Sequence, residues 1–441
     1  MLRYLKIRQL FVAVALLLLC GLSSGVLAAS NVLQSWTTGN GVKVNFFPSD
    51  SLPMVDLRMV YAAGSARDGD KPGVADMTSA VIGNGADGLD ANSLSDKLES
   101  MGAQFEIGSL RDMAWVSLRS LTLPELLDGS LDIMAKVIGK PDFPESEIEL
   151  MRAQLLTMLK NRQQKPGEIA EKAFFEAVYG DHPYARTAEE ADINAIKRDD
   201  IVDFYQRYYV TGNAQLSIVG QLDRAQAEAL AEKLVRFMPT GDKAPALPPV
   251  EPLAEARTIR IDYPSEQSHI LIGQPGVSRN DADYFALYIA NHGFGGSGFS
   301  SILMDEVREK RGLAYSVYSY FSPMEKKGPF MIGLQTRNDQ VDEAISIVTQ
   351  NLDEYIKDGP TEKAFESSIK NITGGYALKT DSNAKLVQYA SLIGFYDLPL
   401  DYLQAFNDRI ERETRDSVHQ AFRETIRPDK LVTVIVGGAP E

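Results

Sequence analysis

The chain has 441 residues, 44% hydrophobic and 24% charged, which is length enough for two to three globular domains. Its formal net charge of −15 at pH 7 argues against nucleic acid and anionic membrane surfaces as partners. Cys20 is the only cysteine, so a chain trimmed of its N-terminus has no disulfide, thiolate metal site or cysteine nucleophile.

The first 28 residues read as an export signal. Arg3, Lys6 and Arg8 precede an apolar run at residues 10–22, and Val26, Leu27 and Ala28 fit a cleavage site. The run is shorter than the ~20 residues a spanning helix needs, so no stable membrane insertion is expected. Leu19 stands where lipid attachment at Cys20 would want a small residue. Cleavage after Ala28 leaves 42 basic against 60 acidic residues, a net charge of −18. The expected location is the periplasm, where an exported protein of this size can stand on its core alone.

Beyond the signal, the chain repeats itself. Leu127, Leu131, Met134 and Ile138 form one apolar helical stripe, and Ile345, Val348, Leu352 and Ile356 form another. Glycine and then proline follow each helix (Gly139 with Pro141, Gly359 with Pro360), and glycine is expected to take a left-handed cap. Gln215-Leu216-Ser217-Ile218-Val219-Gly220 matches Val432-Thr433-Val434-Ile435-Val436-Gly437, and strands are also predicted at residues 115–118 and 330–334. Val219 to Val436 is 217 residues, Gly139 to Gly359 is 220 and Gly102 to Gly312 is 210. A spacing that stays near 215 points to two homologous halves. Strand pairs beside long helices, without strict alternation, predict α+β architecture with helices packed on one sheet face.

Between the halves, residues 239–252 hold five prolines and neither a helical nor a strand period. The predicted organisation is a first domain at 31–238, a linker at 239–253 and a second domain at 254–441.

Taken together, the two α+β halves, the Pro-rich linker and the segment Gly64-Ser65-Ala66-Arg67-Asp68 … Pro72-Gly73-Val74-Ala75 resemble the pitrilysin family, whose relatives include insulin-degrading enzyme and the mitochondrial processing peptidase. The resemblance covers essentially the whole chain after the signal and implies a clam-shell arrangement of the halves. Its most specific piece is Gly293-Phe294-Gly295-Gly296-Ser297-Gly298-Phe299, followed by Val307-Arg308-Glu309-Lys310-Arg311-Gly312-Leu313-Ala314-Tyr315-Ser316-Val317. The resemblance implies that Arg308 and Tyr315 bind substrate backbone, and that Gly295 and Gly296 lie in a loop facing the central chamber. Arginine offers a fork of donors and tyrosine a phenol, which suits a carbonyl or oxyanion. Spacing alone would instead put Arg308 on a solvated helix face and Tyr315 in the core.

In active relatives the same lead-in runs into His-x-x-Glu-His, with a glutamate further on as third zinc ligand. Here those positions are Asp76, Ser79, Ala80 and Thr157, the last anchored by Pro166 nine residues later. One carboxylate survives, so neither a catalytic set nor a metal site is expected in this chain. Asp68 and Asp76 read as solvated loop acids. Of the four histidines, His182, His269, His292 and His419, none forms a close pair. His182 reads as a hydrogen-bonded structural residue, and a site shared with His292 would need a third ligand. The expectation is a non-catalytic subunit that contributes substrate-binding residues to a zinc-bearing homologous peptidase, with peptide as substrate and zinc in the partner. The alternatives are a stand-alone periplasmic peptide-binding or scaffold protein, and an active zinc endopeptidase with a non-standard site.

Overall fold

A computed structural model describes residues 32–438. The export signal read at residues 1–28 lies outside them. Sequence with alternating or continuous β-branched character becomes strand, and the apolar stripes become helix. The first half contains β1 (Gln34–Thr37), β2 (Lys43–Pro48), β3 (Met54–Tyr61), α1 (Val74–Val81), a short hairpin of β4 (Gly85–Ala86) and β5 (Leu89–Asp90), and α2 (Ala91–Ser100). It continues with β6 (Gln104–Ser109), β7 (Ala114–Leu121), α3 (Pro124–Gly139), α4 (Glu145–Gln163), α5 (Pro166–Tyr179), α6 (Glu190–Ala195), α7 (Arg198–Tyr208), β8 (Ala214–Gly220) and α8 (Arg224–Val235). After an extended stretch come β9 (Arg257–Ile261), β10 (Gln267–Pro275), α9 (Tyr284–Asn291), β11 (Val317–Phe321), β12 (Pro329–Arg337), α10 (Val341–Asp358), α11 (Glu362–Gly375), α12 (Asn383–Phe395), α13 (Phe406–Arg412), α14 (Arg415–Thr425) and β13 (Val432–Val436).

The repeat is visible in strand order. One sheet runs β1-β2-β8-β3-β7-β6 and the other β11-β12-β10-β13-β9. In each, the last strand in sequence lies between two early strands, parallel to one and antiparallel to the next: β8 between β2 and β3, and β13 between β9 and β10. The edge strands β6 and β11 occupy matching ends, and Gly102 and Gly312, both at φ +64°, make the left-handed turns before them. Gly359 is also left-handed at φ +69°. Gly139 is not. It closes α3 without a positive φ, and glycine is required there because a Cβ would run into the backbone of Phe237.

Each sheet packs its own helices on one face. Leu216 and Ile218 of β8 join Leu131, Met134 and Ile138 of α3 in the first core. Ile270, Ile332 and Ile435 join Val348 and Leu352 of α10 in the second. The opposite face of each sheet is covered by a helix from the other half. From the second half, α12 lies on β8, β3 and β2, while α5 of the first half lies on β10 and β13. Hence β8 is buried along its whole length. Gly394 allows the close approach, since a Cβ there would meet the side chain of Gln215. Phe174 and Phe175 of α5 pack with Leu271, Met331 and Val434 in a third core. This exchange makes residue 33 onward one compact unit.

A buried carboxylate also ties the halves. Asp112, 3% exposed, accepts from Tyr184 Oη at 2.6 Å, Tyr396 Oη at 2.8 Å and the Glu325 amide at 2.6 Å. Burial pushes its carboxyl above the usual range despite these donors. Arg67 pairs with Glu325 at 3.0 Å beside it.

Candidate functional site

The segment leading into α1 is held by structural contacts. A Cβ on Gly64 would collide with the carbonyls of Leu110 and Arg111. Those same carbonyls accept from the amides of Ser65 at 3.1 Å and Ala66 at 2.9 Å. Gly73 takes φ +91°, where a Cβ would press on Ile193. Asp68 then caps α1, accepting from the amides of Gly73 at 2.7 Å and Ala75 at 2.9 Å. Asp68 is not a solvated loop acid. It is 7% exposed, and burial outweighs the two amide donors, pushing its carboxyl up to about 7, with the nearby charge of Asp76 acting in the same direction. The lead-in therefore keeps its form for reasons of backbone packing and capping that need no metal.

On α1, Asp76 is exposed and accepts from Ser109 Oγ of the edge strand β6 at 2.6 Å. Ser79 is buried and Ala80 half-buried. Thr157 lies on α4, which packs against α1, but it faces solvent and its hydroxyl donates back to Ala153 O at 2.8 Å. The four positions thus share one corner of the fold. Zinc does not fit them: Ala80 has no donor atom, the Thr157 hydroxyl is engaged with its own helix, and Asp76 supplies a lone carboxylate. Among the described residues, no group of three His, Cys, Asp or Glu side chains is placed to hold a metal ion.

Three of the four histidines are occupied elsewhere. His182 accepts from the Tyr184 amide at Nδ1 (3.1 Å), and its Nε2 meets Pro248 O at 3.0 Å. His292 meets Ser368 Oγ and Asn371 Oδ1, both at 3.0 Å. His419 Nε2 meets Ile356 O at 2.8 Å.

The corresponding corner of the second half is built differently. α9 continues into a π-helical turn, His292–Gly296, and a second π-helical turn spans Met304–Glu309. Such turns are rare and concentrate at functional sites. The space beside Gly295 and Gly296 is filled by the chain itself. A Cβ on Gly295 would meet the Ser319 amide at 2.7 Å and Leu303 at 2.8 Å, and one on Gly296 would meet Asn291 Nδ2 at 2.7 Å. Asn291 and Ser319 exchange hydrogen bonds at 3.0 and 2.7 Å. These glycines bring the loop onto the edge strand β11.

The second π-helical turn buries Met304 and Val307 and turns Arg308 outward. Its neighbours Lys310 and Arg311 are taken up by Glu306 at 2.5 and 2.6 Å. The Arg308 guanidinium has Glu309 3.6 Å from its Nε and lies 4.8 Å from the Phe299 ring and 4.9 Å from the Tyr315 ring. Tyr315 is not a core residue: it is 82% exposed, and Phe299 is 71% exposed. Arg308 and Tyr315 are thus brought together. Phe299 is a third member that the sequence reading passed over, though an aromatic side chain inside a glycine run was a signal. Beyond Tyr315, the edge strand presents Tyr318 and Tyr320, stacked at 6.0 Å and partly exposed. Between the two corners stands Arg111, whose guanidinium lies 3.5 Å from the Phe175 ring and feels the charges of Glu171 and Asp76.

Residues 48–192 match the family described as Insulinase (Peptidase family M16), and residues 195–372 match the family described as Peptidase M16 inactive domain. An uncharacterized zinc protease of Streptomyces coelicolor is 27% identical over 361 residues, spanning 78% of this chain and 76% of that protein. The non-peptidase homolog YmxG of Helicobacter pylori is 22% identical over 95% of this chain and 97% of its own length. Among solved structures, a peptidase M16 inactive domain from Pseudomonas fluorescens superposes with a TM-score of 0.89 at 37% identity, covering 93% of this chain and 99% of that one. The periplasmic protease PqqL of Escherichia coli shares the fold, with a TM-score of 0.78 at 17% identity over 93% of this chain and 46% of its own.

Proposed function

This chain belongs to the M16, or insulinase, peptidase family, and from that membership we propose that it is the non-catalytic member of a two-chain peptidase. One observation carries the reading: the corner that bears zinc ligands in active relatives has no donor set, while the opposite corner holds Arg308 between two exposed aromatic rings. A peptide cleft needs two walls, and closing it excludes water and strengthens the electrostatics of a metal centre. In the proposed pair, a homologous chain supplies zinc and the general base. This chain supplies Arg308 and Tyr315 as donors to the peptide carbonyl next to the reacting bond. The export signal read from the sequence at residues 1–28 supports assembly in the periplasm, and the acidic net charge supports a peptide rather than a nucleic-acid substrate. Among the described residues, no helix is long and apolar enough to cross a membrane.

The test is to titrate the purified chain into its zinc-bearing homologue and follow cleavage of a fluorogenic peptide. Cleavage is expected to rise and level off at equal amounts of the two chains, with the present chain inert alone and free of zinc by elemental analysis. Turnover by the isolated chain would contradict the reading.

The edge strands favour a second reading, a stand-alone peptide-binding protein. β6 and β11 end their sheets; β11 is already met at the Ser319 carbonyl by Asn291, so β6 is the edge to which an extended peptide can add by main-chain pairing. Peptide binding by the isolated chain, with no affinity for any zinc-bearing homologue, is the outcome that favours it.

A further inference from the structure

A cavity of about 480 Å³ opens in the second half, away from both corners. Its walls come from α9, α12, α13 and the turns at residues 279, 378–379 and 398–402. Leu392, Ile393, Leu398 and Phe406 make an apolar floor, and no carboxylate lines it. At the rim sit Arg279, Lys379 and Lys385, three cations in a chain of net charge −15. Lys385 is already paired with Asp381 at 2.8 Å. The other two have no carboxylate within ion-pair distance among the described residues. Lys379 donates to Tyr288 Oη at 2.6 Å. Among the described residues the Arg279 guanidinium has one hydrogen-bond acceptor, Tyr284 Oη at 3.5 Å, and the Tyr284 and Tyr396 rings each 5.6 Å away, and its Nε is buried without a hydrogen-bond partner. Two cations without a carboxylate partner at the rim of an apolar cavity make that rim suited to an anion.

We propose that this cavity binds a small amphipathic carboxylate, with the anionic end between Arg279 and Lys379 and the apolar body on the floor. The guanidinium fork matches a planar carboxylate, and the tyrosine hydroxyls supply the remaining donors. The volume falls within the range of small-molecule sites. The same chemistry is offered by a free alkyl carboxylate and by the apolar C-terminus of a peptide. α12 forms one wall here and lies on the first sheet, so a bound ligand also stabilises the contact between the halves. This inference stands independently of the two-chain reading.

The test is calorimetry on the full chain with decanoate, decyltrimethylammonium, decanol, and acetyl-Leu-Phe with its C-terminal amide. At least one carboxylate is expected to bind about tenfold or more tightly than its uncharged counterpart, with the cation undetectable. Binding of decanoate alone identifies a small-molecule site, and binding of acetyl-Leu-Phe over its amide identifies a peptide terminus. Arg279→Gln and Lys379→Gln are each expected to weaken the carboxylate about tenfold while leaving decanol unchanged. If neither carboxylate binds at millimolar concentration, or if decanol and decyltrimethylammonium bind the unaltered chain as well as decanoate does, the proposal is overturned. That comparison holds even where a substituted chain fails to fold.

Discussion

In the first half, the corner between α1 and the edge strand β6 carries Asp76, Ser79 and Ala80. In the second, the corner beside β11 carries Arg308 lodged between Phe299 and Tyr315. Both corners rest on the same strand order, and both are held by glycines packed against backbone. The difference lies in the side chains that each corner carries. Those in the first half have become a lone acid, a buried hydroxyl and a methyl group, whereas those in the second still offer a cation and a phenol. The contacts that hold the frame (Asp68 on the start of α1, Gly64 on the turn before β7) are made by other residues than the ones that carry the chemistry. Chemistry can therefore change while the frame stays.

The largest effect should come from rebuilding the first corner. The fourfold change D76H, S79E, A80H and T157E is expected to convert a chain without zinc into one that retains about one equivalent through gel filtration. Failure to hold zinc in a folded variant would show that the backbone of this corner has drifted from ligand geometry. Next is the tie between the halves. Asp112→Ala leaves three buried donors without an acceptor and is expected to cost about 3 kcal/mol or more in urea unfolding. A loss under 1 kcal/mol would mean the halves are held by the exchanged helices alone. The glycines test whether the two corners are equally rigid. Gly64→Ala and Gly295→Ala each drive a methyl into backbone, and each is expected to cost about 2 kcal/mol. A tolerated Gly295→Ala would make the second corner the softer one.

A pH series probes the first corner more gently. In the unfolded chain Asp68 ionises near 3.8, whereas in the fold it holds its proton up to about 7. Between these values the folded state binds more protons, so this residue's contribution to stability falls as pH rises from about 4 to 7 and is level above that. Asp112 and Asp56 act in the same direction. Comparing unfolding of the unaltered chain with D68N across this window should show a shallower fall in the variant; identical slopes would mean that Asp68 ionises normally. The smallest effect is that of Tyr315→Ala on stability. At 82% exposure it should change unfolding by less than about 0.5 kcal/mol. A large loss would make Tyr315 a structural residue after all.

Much of this was legible in the sequence. The repeat near 215 residues reappears as two sheets of matching strand order, and the strands around Trp115, Leu216, Phe330 and Val434 all form. The pairing of Arg308 with Tyr315 followed from the resemblance and not from spacing, which would have sent Tyr315 to the core. Other features were out of reach for physical reasons. An apolar stripe on α5 or α12 says that the helix is buried but not against which sheet, so the exchange between halves was invisible. The reading of Gly139 as a left-handed cap failed because a glycine can equally be required by a neighbour, here Phe237. Asp68 looks like any loop acid until its two amide partners are seen. The cavity at Arg279 is assembled from residues more than a hundred positions apart, and no local pattern announces it.

The most direct test is cleavage of one peptide by the assembled pair, with this chain unaltered and with Arg308 and Tyr315 both replaced by alanine. The replacement is expected to lower kcat about 100-fold while leaving assembly and the partner's zinc content unchanged. Equal rates from an intact pair would mean that these two side chains take no part in the reaction.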